Sequence, residues 1–147
     1  MKKVLMILAA VAIAASAVAS EGWETDFEKA SAKAKAEGKH MLLDFSGSDW
    51  CGWCIKLDEQ VFSKKAFKDY AEKELVLVLV DFPQSKPQSD ALKKQNDALQ
   101  KKYKIRGFPT VIILDSEGKQ VAKTGYQAGG PEAYVAHLKA EIAKAEK

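Results

Sequence analysis

Six consecutive apolar residues, Leu75-Val76-Leu77-Val78-Leu79-Val80, constrain the fold more than any other stretch of this sequence. The run has strand length and a β-branched valine at every second position. A strand without a polar side must be covered on both faces, which calls for helices above and below a sheet. The flanking segments supply them. Thr25-Asp26-Phe27-Glu28 fits a capping box with Thr25 as the cap, and Phe27, Ala30 and Ala34 continue at helical spacing until Gly38 stops the run. Met41-Leu42-Leu43-Asp44-Phe45 has strand length and leads into Ser46-Gly47-Ser48. A helix is expected from about Cys51, with Ile55, Leu57, Val61 and Phe62 inward, and Ser63 re-caps a second segment with Phe67 and Tyr70 inward.

Pro83 and Pro87 bracket a polar loop, after which Ser89 or Asp90 caps a helix that faces the core with Leu92, Leu99 and Tyr103. Thr110 to Leu114 is a second buried strand, Asp115-Ser116-Glu117-Gly118 a hairpin turn, and Val121 to Tyr126 the returning strand. Gly129-Gly130-Pro131 opens a last helix on which Tyr134, Leu138 and Ile142 form one apolar face. Helix, strand, helix, strand, helix, strand, strand, helix is an alternation that predicts one three-layer α/β domain with a mixed sheet. A chain of 147 residues without internal repeats or long linkers suits a single core of that kind.

The first residues point to export. Met1-Lys2-Lys3 is a positive start, Val4 to Val18 an apolar run, and Ala17-Val18-Ala19 a small-x-small cleavage pattern. Residues 1–19 are therefore expected to be a signal peptide, leaving 20–147 as the domain, in the periplasm or secreted. The run is shorter than the roughly 20 residues that span a bilayer, though an uncleaved anchor is the alternative. No cysteine follows it, so a lipid anchor is not expected. Basic and acidic residues nearly cancel, 23 against 20, which implies no polyanionic partner. All the basic residues except Arg106 are lysines, and specific base readout leans on arginine forks, so nucleic acid is not expected as a ligand.

Export sets the redox context for the only two cysteines, Cys51 and Cys54. A bridge between them closes almost no loop and adds little stability through chain entropy. Zinc would need further ligands, and only His40 and His137 are available beside the two thiolates. Covalent haem attachment needs a histidine after Cys54, where Ile55 stands. Redox chemistry, an inert disulfide and a zinc site thus stand as readings in that order. In the first, Cys51 sits at a helix N-terminus, where free amides and the helix dipole favour a thiolate. It is the exposed nucleophile; Cys54, one turn in and buried, resolves the mixed disulfide.

Asp44-Phe45 followed by Trp50-Cys51-Gly52-Trp53-Cys54, and later Arg106-Gly107-Phe108-Pro109-Thr110, resemble the thioredoxin superfamily, in particular exported thioredoxin-like proteins with a Gly-Ser-Asp-Trp-Cys-x-x-Cys signature. The likeness covers roughly residues 23 to 145. It implies a thioredoxin-like α/β/α sandwich and a protein thiol–disulfide oxidoreductase without a bound cofactor or metal. It further implies a cis bond before Pro109, which leaves the Phe108 backbone free to pair with an extended client. Asp44 resembles the family's buried acid, a group able to accept the Cys54 proton. The family usually has one residue fewer between acid and first cysteine, and its accompanying lysine has no counterpart in 75–80; local hydrogen bonding in the loop is the other reading of Asp44. Trp50 is expected to shield the nucleophile from the rim, the alternative being core packing, and Trp53 to offer clients an apolar surface beside Gly52.

Strong oxidants of the superfamily carry a histidine where this chain has Trp53, so a disulfide reductase is expected. Such a reductase needs a membrane-embedded thiol donor and protein disulfide substrates, and is expected to act as a monomer. A rival reading is a client-binding module that presents Trp53, Phe108 and Pro109 while its redox activity is incidental. Nothing in the sequence gives a function to the lysine-studded helices.

Overall fold

A computed structural model describes residues 21–147, so the expected signal peptide lies outside the described residues. Five strands form the sheet: β1 (Trp23–Glu24), β2 (His40–Ser46), β3 (Leu75–Asp81), β4 (Thr110–Leu114) and β5 (Gln120–Thr124). Their order is β1-β3-β2-β4-β5, with β3 parallel to both neighbours and β4 antiparallel to β2 and β5. The helices are α1 (Phe27–Glu37), α2 (Gly52–Leu57), α3 (Lys65–Glu74), α4 (Asp90–Lys102) and α5 (Gly130–Ala145).

The all-apolar run lies inside this sheet, and its alternate residues serve two cores. Val76, Val78 and Val80 pack with Met41, Leu43 and Phe45 of β2 under α1 and α4, through Ala30, Ala34, Leu99 and Tyr103. Leu75 and Leu77 join Leu42 and, from the other helical layer, Leu57, Phe67, Tyr134 and Leu138. This is the expected three-layer α/β/α sandwich, and residue parity on β2 and β3 decides which layer each side chain meets.

Several boundaries differ from expectation. The cap of α1 is Asp26, whose carboxylate accepts the Lys29 amide, and not Thr25. Gln95 of α4 explains the shift: its Nε2 donates to the Thr25 carbonyl and its Oε1 accepts from the Phe27 amide, so the helix start is fixed from across the core. Gly38 does end α1, in the left-handed conformation (φ 65°) that suits glycine.

Beyond α2 the chain makes a π-helical turn, Asp58–Phe62, closed by the Ser63 amide on the Asp58 carbonyl. The wider turn brings Leu57, Val61 and Phe62 to the core together and leaves Ile55 exposed, against expectation. Ser63 does not re-cap the next helix either; its hydroxyl donates back to the Glu59 carbonyl, and Lys64 precedes α3 without a side-chain cap. Strand β1 is too short for any sequence periodicity and was not expected. No helix among the described residues is long and apolar enough to cross a membrane.

Candidate active site

Strand β2 ends at Ser46, and the chain turns through residues 47–50 before α2. The Trp50 and Cys51 amides both donate to the Gly47 carbonyl, at 3.2 and 2.8 Å. A Cβ on Gly47 would overlap the Trp50 indole, so any larger residue there would have to displace that ring. Cys51 takes the N-cap position with extended backbone (φ −85°, ψ 106°), and its Sγ accepts the Cys54 amide at 3.3 Å. The two cysteines are joined in a disulfide, with their Cα atoms 5.2 Å apart.

The expected contrast between an exposed Cys51 and a buried Cys54 is small: they are 8% and 5% exposed. The cause is the cap itself, since Cys51 turns its sulfur inward to the Cys54 amide in the first turn of α2 and to its partner sulfur. The flanking tryptophans carry the exposure instead, 42% at Trp50 and 56% at Trp53, which disposes of core packing for Trp50.

The facing loop is Gly107-Phe108-Pro109, whose Phe108–Pro109 peptide bond is cis. Register sets it there. Phe45 pairs with Thr110, so the end of β2 and the start of β4 share one end of the sheet, and the cysteine loop and proline loop leave it side by side. The Thr110 hydroxyl donates to the Gly107 carbonyl at 2.7 Å and closes the turn. Trp50 meets Phe108 edge to face, 5.8 Å between ring centres, and Phe82 also packs against Phe108, at 5.3 Å.

Asp44 is buried on the α2 side of β2, the same side as Leu42, and its Oδ1 has no hydrogen-bond partner among the described residues. Local hydrogen bonding is therefore not what holds it. Burial pushes its carboxyl up to about 8, helped by the charges of Asp58 and Asp81. Asp58, the C-cap of α2, donates its amide to the Cys54 carbonyl; its own carboxyl is also raised, mainly by partial burial. Tyr134 is buried nearby, its hydroxyl driven well above its ordinary range by burial and by Asp44, and it donates to the Gly125 carbonyl at 2.9 Å. Gly125 in turn approaches the Pro109 carbonyl so closely that a Cβ would sit 3.1 Å from it.

Sequence reasoning missed four neighbours of this site. Tyr126 packs against Trp53 at 5.0 Å, with the Lys56 ammonium 4.8 Å from the centre of the indole. Phe82 accepts the Trp50 indole N–H on its carbonyl at 2.8 Å. Asp49 binds the loop that follows Phe82. Among the described residues no three His, Cys, Asp or Glu side chains cluster as metal ligands. His40 instead lies near Glu146, and His137 hydrogen-bonds Thr124.

A bonded cysteine pair at the mouth of a helix, with a cis X-Pro loop beside it at the same end of a mixed sheet, defines a thioredoxin-fold protein disulfide oxidoreductase. The family model described as a thioredoxin-like domain matches residues 27–141, and the chain belongs to that family. Among curated relatives, the disulfide bond reductase DsbH of Chlamydia pneumoniae is 40% identical over 126 residues, 86% of this chain and 75% of that protein. The thioredoxin-related protein DsbJ of the same organism is 33% identical over 103 residues, which are 70% of this chain but only 30% of DsbJ. A solved DsbH oxidoreductase superposes with a TM-score of 0.80 at 36% identity, covering 97% of this chain and 95% of that one. A Thermus thermophilus thioredoxin, at 18% identity and a TM-score of 0.62 over 84% of this chain and 88% of that one, shares the fold.

Proposed function

We propose that the protein is exported by a signal peptide at residues 1–19 and works in the periplasm as a monomeric disulfide reductase. The observation that carries this reading is the bond between Cys51 and Cys54, set at the mouth of α2 with the Cys51 sulfur on a free helix amide. In the reduced enzyme the Cys51 thiolate attacks one sulfur of a client disulfide, and the other client sulfur leaves as a thiolate. Cys54 then attacks the Cys51 sulfur, displaces the second client sulfur and forms the intramolecular disulfide. Two electrons pass to the client, which takes up two protons in becoming a dithiol. Asp44, buried on the α2 side of the sheet, accepts the proton that Cys54 gives up. Trp50, Gly52, Trp53, Phe108 and Pro109 form the surface on which the client segment lies.

The reducing direction has three supports. Trp53 cannot donate a hydrogen bond from a cationic ring as a histidine in that position does. Burial, with the charges of Asp58 and Asp81 added to it, holds the Asp44 carboxyl well above its ordinary range, and such an environment disfavours a long-lived thiolate and so favours the disulfide. The name of the DsbH relative points the same way. Regeneration of the dithiol calls for a membrane-embedded thiol donor.

Insulin precipitation in dithiothreitol tests the activity: the wild type accelerates it, and Cys51→Ser abolishes the acceleration. Full activity of Cys51→Ser would remove the reading. Equilibration with glutathione tests the direction, a reductant lying near about −270 mV and an oxidant near about −120 mV.

A further inference from the structure

The chain between β3 and α4, residues 82–89, has no regular structure, and two of its residues, Pro83 and Pro87, have no amide proton. Three of its remaining amides converge on one side chain. Asp49 Oδ1 accepts from Gln84 at 2.9 Å, and Oδ2 accepts from Ser85 at 2.7 Å and from Lys86 at 3.1 Å. These bonds hold the Asp49 carboxyl below its ordinary range, Gln84 contributing most. Beside the clasp, the Ser48 amide and hydroxyl donate to the Asp81 carboxylate at 2.9 and 2.6 Å, and the Phe82 amide donates to the Ser46 carbonyl. The chain before Cys51 and the loop after β3 are thus stitched together along their length.

The exposed Trp50 depends on this stitching for its position. Its indole is fixed by the bond from Nε1 to the Phe82 carbonyl and by an edge contact with Phe108. Phe82 is the first residue of the clasped loop, so wherever the loop stands, the indole follows. We propose that Asp49 is a positioning residue for client recognition, its carboxylate holding loop 82–88 so that Trp50 stands as a fixed wall between Cys51 and the Phe108-Pro109 loop. This rests on the oxidoreductase reading above. A small disulfide reaches the Cys51 sulfur without lying along that wall, whereas a protein segment must fit against it, so the clasp acts on large clients selectively.

The test compares the wild type, Asp49→Ala and Asp49→Asn on insulin and on a small aromatic disulfide, with amide exchange read at Gln84, Ser85 and Lys86. Asp49→Ala is expected to raise KM for insulin about five- to ten-fold, with kcat for insulin and kcat/KM for the small disulfide within about two-fold of wild type. Exchange at the three amides accelerates in the same variant. Asp49→Asn, which keeps one carbonyl acceptor, recovers part of both effects, and it decides the matter if the alanine variant does not fold. Unchanged amide protection, an unchanged KM for insulin, or an equal loss on both disulfides would overturn the proposal. A wild type that turns over neither disulfide would overturn the oxidoreductase reading and this inference with it, even with the three amides protected.

Discussion

At position 44 a carboxyl group replaces what would otherwise be one more apolar side chain in β2, and it works against stability. The folded carboxyl titrates at about 8 because burial and two neighbouring acids oppose its charge, whereas in the unfolded chain it titrates near 4. Between these values the folded state keeps a proton that the unfolded state has released. Stability therefore falls as pH rises from about 4 to about 8, with a slope on the order of 1.4 kcal/mol per unit. Asp44→Asn removes the slope: denaturation of the oxidised form should show the variant ahead of wild type at pH 8 and the advantage shrinking toward pH 4. On the proton-accepting role proposed for Asp44, the disulfide-exchange rate of the variant at pH 8 should fall as well; a stability difference independent of pH would contradict the raised carboxyl. This residue was legible in the sequence, because a lone acid in an apolar strand is conspicuous. Asp49, Phe82, Gly125 and Tyr126 were not: Asp49 and Tyr126 act through partners 35 to 37 and 73 residues away, and Phe82 and Gly125 through backbone carbonyls that no side-chain pattern encodes.

Among the elements, strands and helices with a clear period were foreseen to within a residue or two, and the departures have local causes. The start of α1 is the clearest. Sequence favours Thr25 as the cap, whereas the Asp26 carboxylate takes the role because Gln95 occupies the Thr25 carbonyl and the Phe27 amide. Asp26→Ala should thus cost about 1 kcal/mol in denaturant unfolding, and Thr25→Ala a few tenths at most. The reverse ranking would restore the sequence-based cap. The π-helical turn after α2 left no trace in the sequence, since a single extra residue per turn mimics a slightly irregular helical face. Leu57 just before this turn and Val61 and Phe62 within it are all buried.

Over the whole molecule the two cores are separate sets of side chains on opposite faces of one sheet. Leu42 and Leu43 are adjacent in β2, both fully buried, and belong to different cores. Leu42→Ala and Leu43→Ala should each cost about 2–5 kcal/mol in equilibrium unfolding, a loss on both faces that an open, one-sided sheet would not show. The three-layer architecture followed from the Leu75–Val80 run and the alternation around it, whereas β1 was hidden by its length of two residues.

The pairing of Phe45 with Thr110 has a bearing on the protein's first moments. Cys51 and Cys54 are near neighbours in the polypeptide and can bond in an unstructured chain, but the Phe108-Pro109 turn lies more than fifty residues downstream. A newly made molecule therefore carries its reactive sulfurs well before it owns the cleft that governs their use. The cleft comes into being only with the pairing of β4 and β2, so whatever choice it exerts among partners can begin only after the two sulfurs are already able to react.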